Sequence, residues 1–350
     1  TCEASASLWE ELMASERCVI IGNGPAANAA AFALRQATTD MDIIMIGEES
    51  FPHYHPHLLP AYVAGTISKA ELFATPASLY EECNIRIRLG QRVVHVDLDH
   101  RELLLSHKEI VPFDALIIAC GGRQRIPERL QIFEDLLLTL KTPADAQRWI
   151  TGLKSAETVL IVGGDLTSLS FAKALVLTGK RVLFMLEGES FWPIPLSRDL
   201  AADVKERLSK RGIEIIEASC IERLTRMGRD VIEVETDVGS ITSNLVGAFY
   251  GLVPNVRFLV RSGLDVERGV LVDDNLRTRF DLVYAAGDCA QIYHPELRDY
   301  WVSIGYRNAV EQGKLAAQNL VGGMTSMATS PANIFCVGGI MVNTSWWMEF

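Results

Sequence analysis

The chain has 350 residues, enough for about two domains that each bury a core. Its composition, 49 % hydrophobic and 22 % charged, is that of a globular protein. A net charge of −11 and a pI of about 5.2 argue against nucleic acid and anionic membrane as partners, and no apolar run approaches the roughly 18 residues that a transmembrane helix needs.

Residues 1–16 read as an N-terminal extension, acidic and without an apolar signal region, with a short amphipathic helix expected over Ser7–Ser15. The first strong pattern is "RCVIIGNGPAANAAAFALRQATTDMDIIMIGEE" (17–49): a strand, a tight turn, a helix and a second strand ending in Glu48. Its turn matches G-x-G-x-x-A, each part with a physical task. Gly22 permits the tight turn, and Gly24 lets backbone approach a pyrophosphate. Pro25 and Ala26 open a helix whose free N–H groups favour anions, Ala27 allows close helix–strand packing, and Glu48 suits ribose hydroxyls. A dinucleotide is expected here.

Next comes "FPHYHPHLLPAYVAG" (51–65), a proline-stiffened segment in which His53, His55 and His57 alternate. No acid or fourth ligand is adjacent, so no metal is expected; His55 and His57 are candidates for contact with a flavin or a partner. Two further apolar strands close on glycine, "FDALIIACGGRQRIP" (113–127) and "FDLVYAAGDCAQ" (280–291).

Between them, "TVLIVGGDLTSLSFAKALVLTGKRVLFMLEGE" (158–189) repeats the strand–turn–helix–strand rhythm. Gly163 and Gly164 are present, but Asp165 stands where the next glycine belongs and Ser168 where the one after belongs. Asp165 brings a Cβ and a charge toward any phosphate, and it is also a good helix N-cap. Glu187 ends the second strand, where it could hold an NAD ribose and would repel a 2′-phosphate. Gly251, in "GLVPNV", offers a second close approach. Two readings stay open: NAD(H) binds here weakly, or the turn has lost its ligand and caps itself. "PLSRDLAADVKERLSKRG" (195–212) reads as an amphipathic helix stopped by Gly212, and "IEIIEASC" and "DVIEVET" read as strands.

The seven cysteines, Cys2, Cys18, Cys83, Cys120, Cys220, Cys289 and Cys336, show no CxxC, CxxxxC or zinc-type spacing. That points to a reducing, cytoplasmic setting. Past Gly323, one strand-like run (334–342) precedes the apolar Trp346, Trp347, Met348 and Phe350, expected to bury against a partner or in an oligomer.

Taken together, the 17–49 unit, the strands ending at Gly121 and Gly287, and "LLLTLKTPADAQRW", "GLVPNV" and "GVLVDDNLRT" resemble the two-dinucleotide-domain flavoproteins, the pyridine nucleotide–disulfide oxidoreductase superfamily. The branch they resemble is that of NAD(P)H:rubredoxin or ferredoxin oxidoreductases and nitrite reductase flavin modules. The resemblance implies an α/β fold of two Rossmann-like domains, the second inserted in the first: an FAD domain at 17–122 and 265–325, an NAD(P)-type domain at 140–250, and a shortened C-terminal β segment at 326–350. It implies FAD on the first turn, with Asp288, after Gly287, on the ribityl chain. Ala119, Cys120 and Gly121 would line it, Val93 would pair with the adenine edge, and a helix over 301–320, starting at Trp301, would point at the flavin. The redox cysteines that name the family are missing from 51–65, so electrons would pass between NAD(P)H and a small electron-carrier protein or partner subunit. Two alternatives are a flavin subunit that no longer binds nicotinamide, and an FAD-binding protein without turnover.

Overall fold

The computed structural model describes residues 16–73, 75–187, 198–218, 220–337 and 340–343; the expected Ser7–Ser15 helix and the Trp346–Phe350 run lie outside them. In chain order the elements that carry the argument are β1 (Arg17–Ile21), α1 (Pro25–Ala37), β2 (Asp42–Ile46), β3 (Ile85–Arg88), β4 (Ala115–Ile118), β5 (Thr158–Gly163), α2 (Leu166–Val176), β6 (Arg181–Met185), β7 (Leu245–Phe249), β8 (Val283–Ala285) and α3 (Tyr306–Leu320). Chain contacts divide these into two compact units, 1–54 with 73–122 and 254–350, and 55–72 with 123–253.

The first unit is built on an all-parallel sheet of order β8-β4-β1-β2-β3. Its inner strands β1, β2 and β4 are near-continuous apolar runs because both faces are covered there, whereas the edge strand β3 alternates Ile and Arg; Cys18, Val19 and Ile20 and all of Ala115–Ile118 have no exposed surface. Helices α1 and α3 cross so closely that a Cβ at Gly313 would lie 2.1 Å from Ala26 O, which is why small residues line the crossing. Three short antiparallel strands (Val93–Asp97, Glu102–Leu105, Ile110–Pro112) complete this part. The late segment differs from its reading in two ways. The run 334–342 is two strands, Ile334–Val337 and Ile340–Asn343, paired antiparallel and joined to Asp299–Val302. Residues 299–302 are themselves strand, and the helix expected from Trp301 starts at Tyr306, because Gly305 at φ +116° breaks the chain direction there.

The second unit repeats the plan: a parallel sheet of order 214–216, β6, β5, β7 and 137–138. A three-stranded meander (Ile221–Arg226, Ile232–Thr236, Gly239–Ser243) accompanies it. Gly163 has φ +98°, and a Cβ on it would sit 2.0 Å from Phe249 O, so β5 and β7 can meet only with glycine there. Residues 55–72, expected in the first domain, group with this unit, where helix Leu59–Val63 packs on Pro143–Gly152 and on α2. The helix Pro143–Gly152 starts from a reciprocal capping box: Asp145 N–H donates to Thr142 Oγ1 (3.1 Å), and Thr142 N–H donates to Asp145 Oδ2 (3.0 Å). Thr142→Ala should therefore cost about 1 kcal/mol, read as a lower urea midpoint with unchanged slope.

Candidate functional site: two nucleotide turns with opposite fates

At the first turn, Gly22 takes φ +123°, a Cβ there would lie 2.2 Å from Ala119 O, and its N–H donates to Ile46 O (2.7 Å). Gly22 is thus fixed by the sheet itself. Gly24 is different. It is the N-cap of α1 at φ −76°, no side chain caps the helix, and nothing lies within 4 Å of where its Cβ would be. Pro25 holds the first helical position, and Ala26 and Ala27 are buried beneath the helix. Neighbouring side chains brace this turn from behind: Asn28 Nδ2 donates to Asn23 O (2.6 Å) and Gly24 O (3.0 Å), and Asn23 Nδ2 donates to Phe51 O (2.7 Å). The result is a rigid helix N-terminus with unfilled space above it, the arrangement that accepts a phosphate.

The other expected residues of this unit fall around the C-terminal ends of its strands. Glu48, exposed past β2, has Arg92 Nε at 3.6 Å. Val93 is buried opposite Leu105. Ala119, Cys120 and Gly121 follow β4, and a Cβ on Gly121 would also meet open space. Gly287 and Asp288 follow β8. Gly287 N–H donates to Gln312 Oε1 (2.7 Å), Gln312 Nε2 donates to Ser303 O (3.4 Å), and Gly305 N–H donates to Asp288 Oδ1 (3.4 Å). This network joins the Gly287-Asp288 turn to the start of α3. The indole Nε1 of Trp301 and the hydroxyl of Ser303 are buried without a hydrogen-bond partner, at residues that are each 1 % exposed. A buried orphan donor costs about 1–3 kcal/mol, so both favour a ligand with acceptor atoms. On these grounds the residues fit FAD.

The second turn is closed from within. Gly164 and Asp165 donate their N–H groups to Phe249 O (2.9 and 3.3 Å). The Asp165 carboxylate takes the next amides, Ser168 N–H at 2.9 Å and Gly251 N–H at 3.2 Å, and caps α2. Asp165 is 6 % exposed. Burial raises its pKa to about 6 despite these donors. Ser168 fits fully buried, its hydroxyl donating to Asp165 O (2.5 Å). At the far end of β6, Glu187 is ion-paired to Arg129, whose guanidinium carbon lies 5.8 Å from the centre of the Tyr250 ring. The Tyr250 hydroxyl faces the same carboxylate. The amides a pyrophosphate would use are therefore taken, and the acid at the ribose end is engaged by Arg129. Nothing in the sequence near Glu187 announced Arg129, 58 positions away; nor did anything single out Gln312 and Ser303 as links between the Gly287-Asp288 turn and α3.

His53 groups with the first unit, its Nδ1 3.0 Å from Thr75 Oγ1; His55 and His57 group with the second, ring centres 5.4 Å apart. Desolvation lowers the pKa of both, and His55 lowers that of His57 further. Among the described residues no group of three or more His, Cys, Asp or Glu is placed to hold a metal ion, and no helix is long and apolar enough to cross a membrane.

The family model described as pyridine nucleotide-disulphide oxidoreductase matches residues 16–319, nearly the whole of both units. The chain belongs to that family. Among curated relatives, this oxidoreductase is 28 % identical over 337 residues to putidaredoxin reductase CamA of Pseudomonas putida, covering 88 % of this chain and 75 % of the relative. It is 27 % identical over 318 residues to rubredoxin-NAD(+) reductase of the same organism, covering 89 % and 82 %. Of solved structures, the covalent putidaredoxin reductase–putidaredoxin complex aligns with a TM-score of 0.82 at 23 % identity, over 91 % of this chain and 78 % of that one. The likeness establishes the two-Rossmann fold.

Proposed function

We propose that this chain is an FAD-dependent oxidoreductase that exchanges electrons between NAD(H) and a small electron carrier, as the names of its ferredoxin and rubredoxin reductase relatives describe for them. The observation that carries the reading is the uncapped, open turn at Gly24, and two buried orphan donors of the same unit, Trp301 Nε1 and Ser303 Oγ, agree with it. FAD, when bound, supplies the chemistry that links two-electron hydride transfer to one-electron carriers. The chain's own part is to hold the pyrophosphate at α1, the ribityl chain at Asp288, and the ring system near the start of α3. That helix N-terminus is positive and favours negative charge beside it. The reading includes a cytoplasmic setting and assembly through the apolar Trp346–Phe350 run.

The second turn supports one rival, a flavin subunit that no longer takes nicotinamide: Asp165 fills the phosphate position and Arg129 engages the ribose acid. An anaerobic titration separates the two. Adding NADH to the purified yellow protein should bleach the visible flavin band within seconds, and a ferredoxin- or rubredoxin-type carrier should restore it. An intact band at millimolar NADH and NADPH would transfer the reading to the subunit.

A further inference from the structure

The sheet of the first unit brings two cysteines together that lie far apart in sequence. Ile118 of β4 is opposite Ala285 of β8, and Ala286 N–H donates to Ile118 O (2.9 Å). Beyond this last rung the two strands leave the sheet as Ala119-Cys120-Gly121 and Gly287-Asp288-Cys289. Cys289 has no exposed surface, and its thiol lies 3.4 Å from Ile118 O and 3.3 Å from Ala286 O. The amides of Cys120 and Gly121 face the same sulfur. Cys120 is partly exposed; its side chain hydrogen-bonds that of Cys289 and lies 3.4 Å from Asn255 O. Both are free thiols. One is partly exposed, the other sealed, and their side chains interact.

We propose that Cys120 and Cys289 are a redox-convertible pair, which an oxidant of the peroxide class turns into a disulfide tying the exit of β4 to the exit of β8. The bond from Cys120 and the two backbone amides hold the Cys289 thiol below the ordinary value, while the contact with Cys289, and burial, hold Cys120 above it. Loss of one proton leaves a single thiolate shared across the contact of the two sulfurs, with the remaining proton on Cys289 when Cys120 is the nucleophile. The Cys120 sulfur then attacks one peroxide oxygen; an S–O bond forms, the O–O bond breaks, and the departing hydroxide becomes water with the proton held on Cys289. The Cys289 thiolate next attacks the Cys120 sulfenic sulfur, and the S–S bond forms as a second hydroxide leaves. From the two thiols and one hydrogen peroxide the sum is one disulfide and two waters. The inference stands on the sheet and the two sulfurs alone, whether or not the chain turns over nicotinamide.

The test is a thiol count on the full-length protein as purified. After hydrogen peroxide, denaturation and N-ethylmaleimide, the mass should show the seven cysteines falling from seven adducts to five. Dithiothreitol should restore all seven, and a proteolytic map should contain a peptide joining Cys120 to Cys289. Cys120→Ser and Cys289→Ser should each abolish that linked peptide. The wild-type map needs no variant, so misfolding of either one leaves the result readable. Retention of all seven thiols in large peroxide excess, loss only as sulfinic or sulfonic acid, or a link through any other cysteine would overturn the proposal.

Discussion

Gly24→Ala should give a protein that folds as well as wild type and is purified largely colourless, with FAD affinity down on the order of tenfold to a hundredfold, about 1.4–2.7 kcal/mol. Gly24 has an ordinary φ, and an added methyl meets no protein atom. Its only obstruction is to a ligand lying on the helix N-terminus. Gly22→Ala is the informative contrast. There the methyl would lie 2.2 Å from Ala119 O on a backbone at φ +123°, so β1 and β4 must part. The cost should be on the order of 3 kcal/mol or more, seen as a Tm lower by roughly 6–12 °C for a domain of this size. Apo-protein Tm and FAD titration together separate the two effects. If Gly24→Ala binds FAD as tightly as wild type, the open turn is not the coenzyme site.

Asp165→Gly should tighten NADH binding at pH 7.5 by tenfold or more, measured by equilibrium titration. The substitution releases Ser168 N–H and Gly251 N–H and removes a charge that at ~4–5 Å from a phosphate repels it by about 3–4 kcal/mol at an effective dielectric near 20. The lost cap costs only a few tenths, because glycine is a tolerable N-cap. Wild type should also bind NADH more tightly as pH falls through about 6, where Asp165 becomes neutral, and Asp165→Gly should lose that step. Stability follows the same sign. Because folding raises this carboxyl from 3.8 to about 6, the folded state holds the proton more firmly. The stability gained at low pH is lost as pH rises across that window, about 3 kcal/mol in all. Equal NADH affinity in both proteins at both pH values would refute the repulsion.

Local rules explain what could be read in advance. The first turn was legible because Gly22, Gly24 and Ala27 answer constraints within a few residues of themselves, and Asp165 was legible as a cap for the same reason. Trp301 was misplaced because the helical pattern that follows Gly305 was carried back through it, although Trp301, Val302 and Ile304 favour a strand, which pairs with Ala290–His294 and Ile340–Asn343. Ile334–Val337 and Ile340–Asn343 were read as one strand because both are apolar and close in sequence, and only their antiparallel pairing tells them apart. Strand Ile221–Arg226 hid behind its charges, since only Ile221 and Leu224 face inward. Arg129 against Glu187 and Cys120 against Cys289 are tertiary meetings; residue type suggests them, and only the fold makes them.

The sheet order of the first unit also governs how the chain is born. Its edge strand Val283–Ala285 pairs with Ala115–Ile118, yet residues 123–253, the bulk of the second unit, lie between them in sequence. A ribosome therefore delivers all of the second unit before it delivers the strand that closes the first. The second unit can complete its sheet during synthesis, while the first waits with one side of β4 bare and prone to wrong pairing.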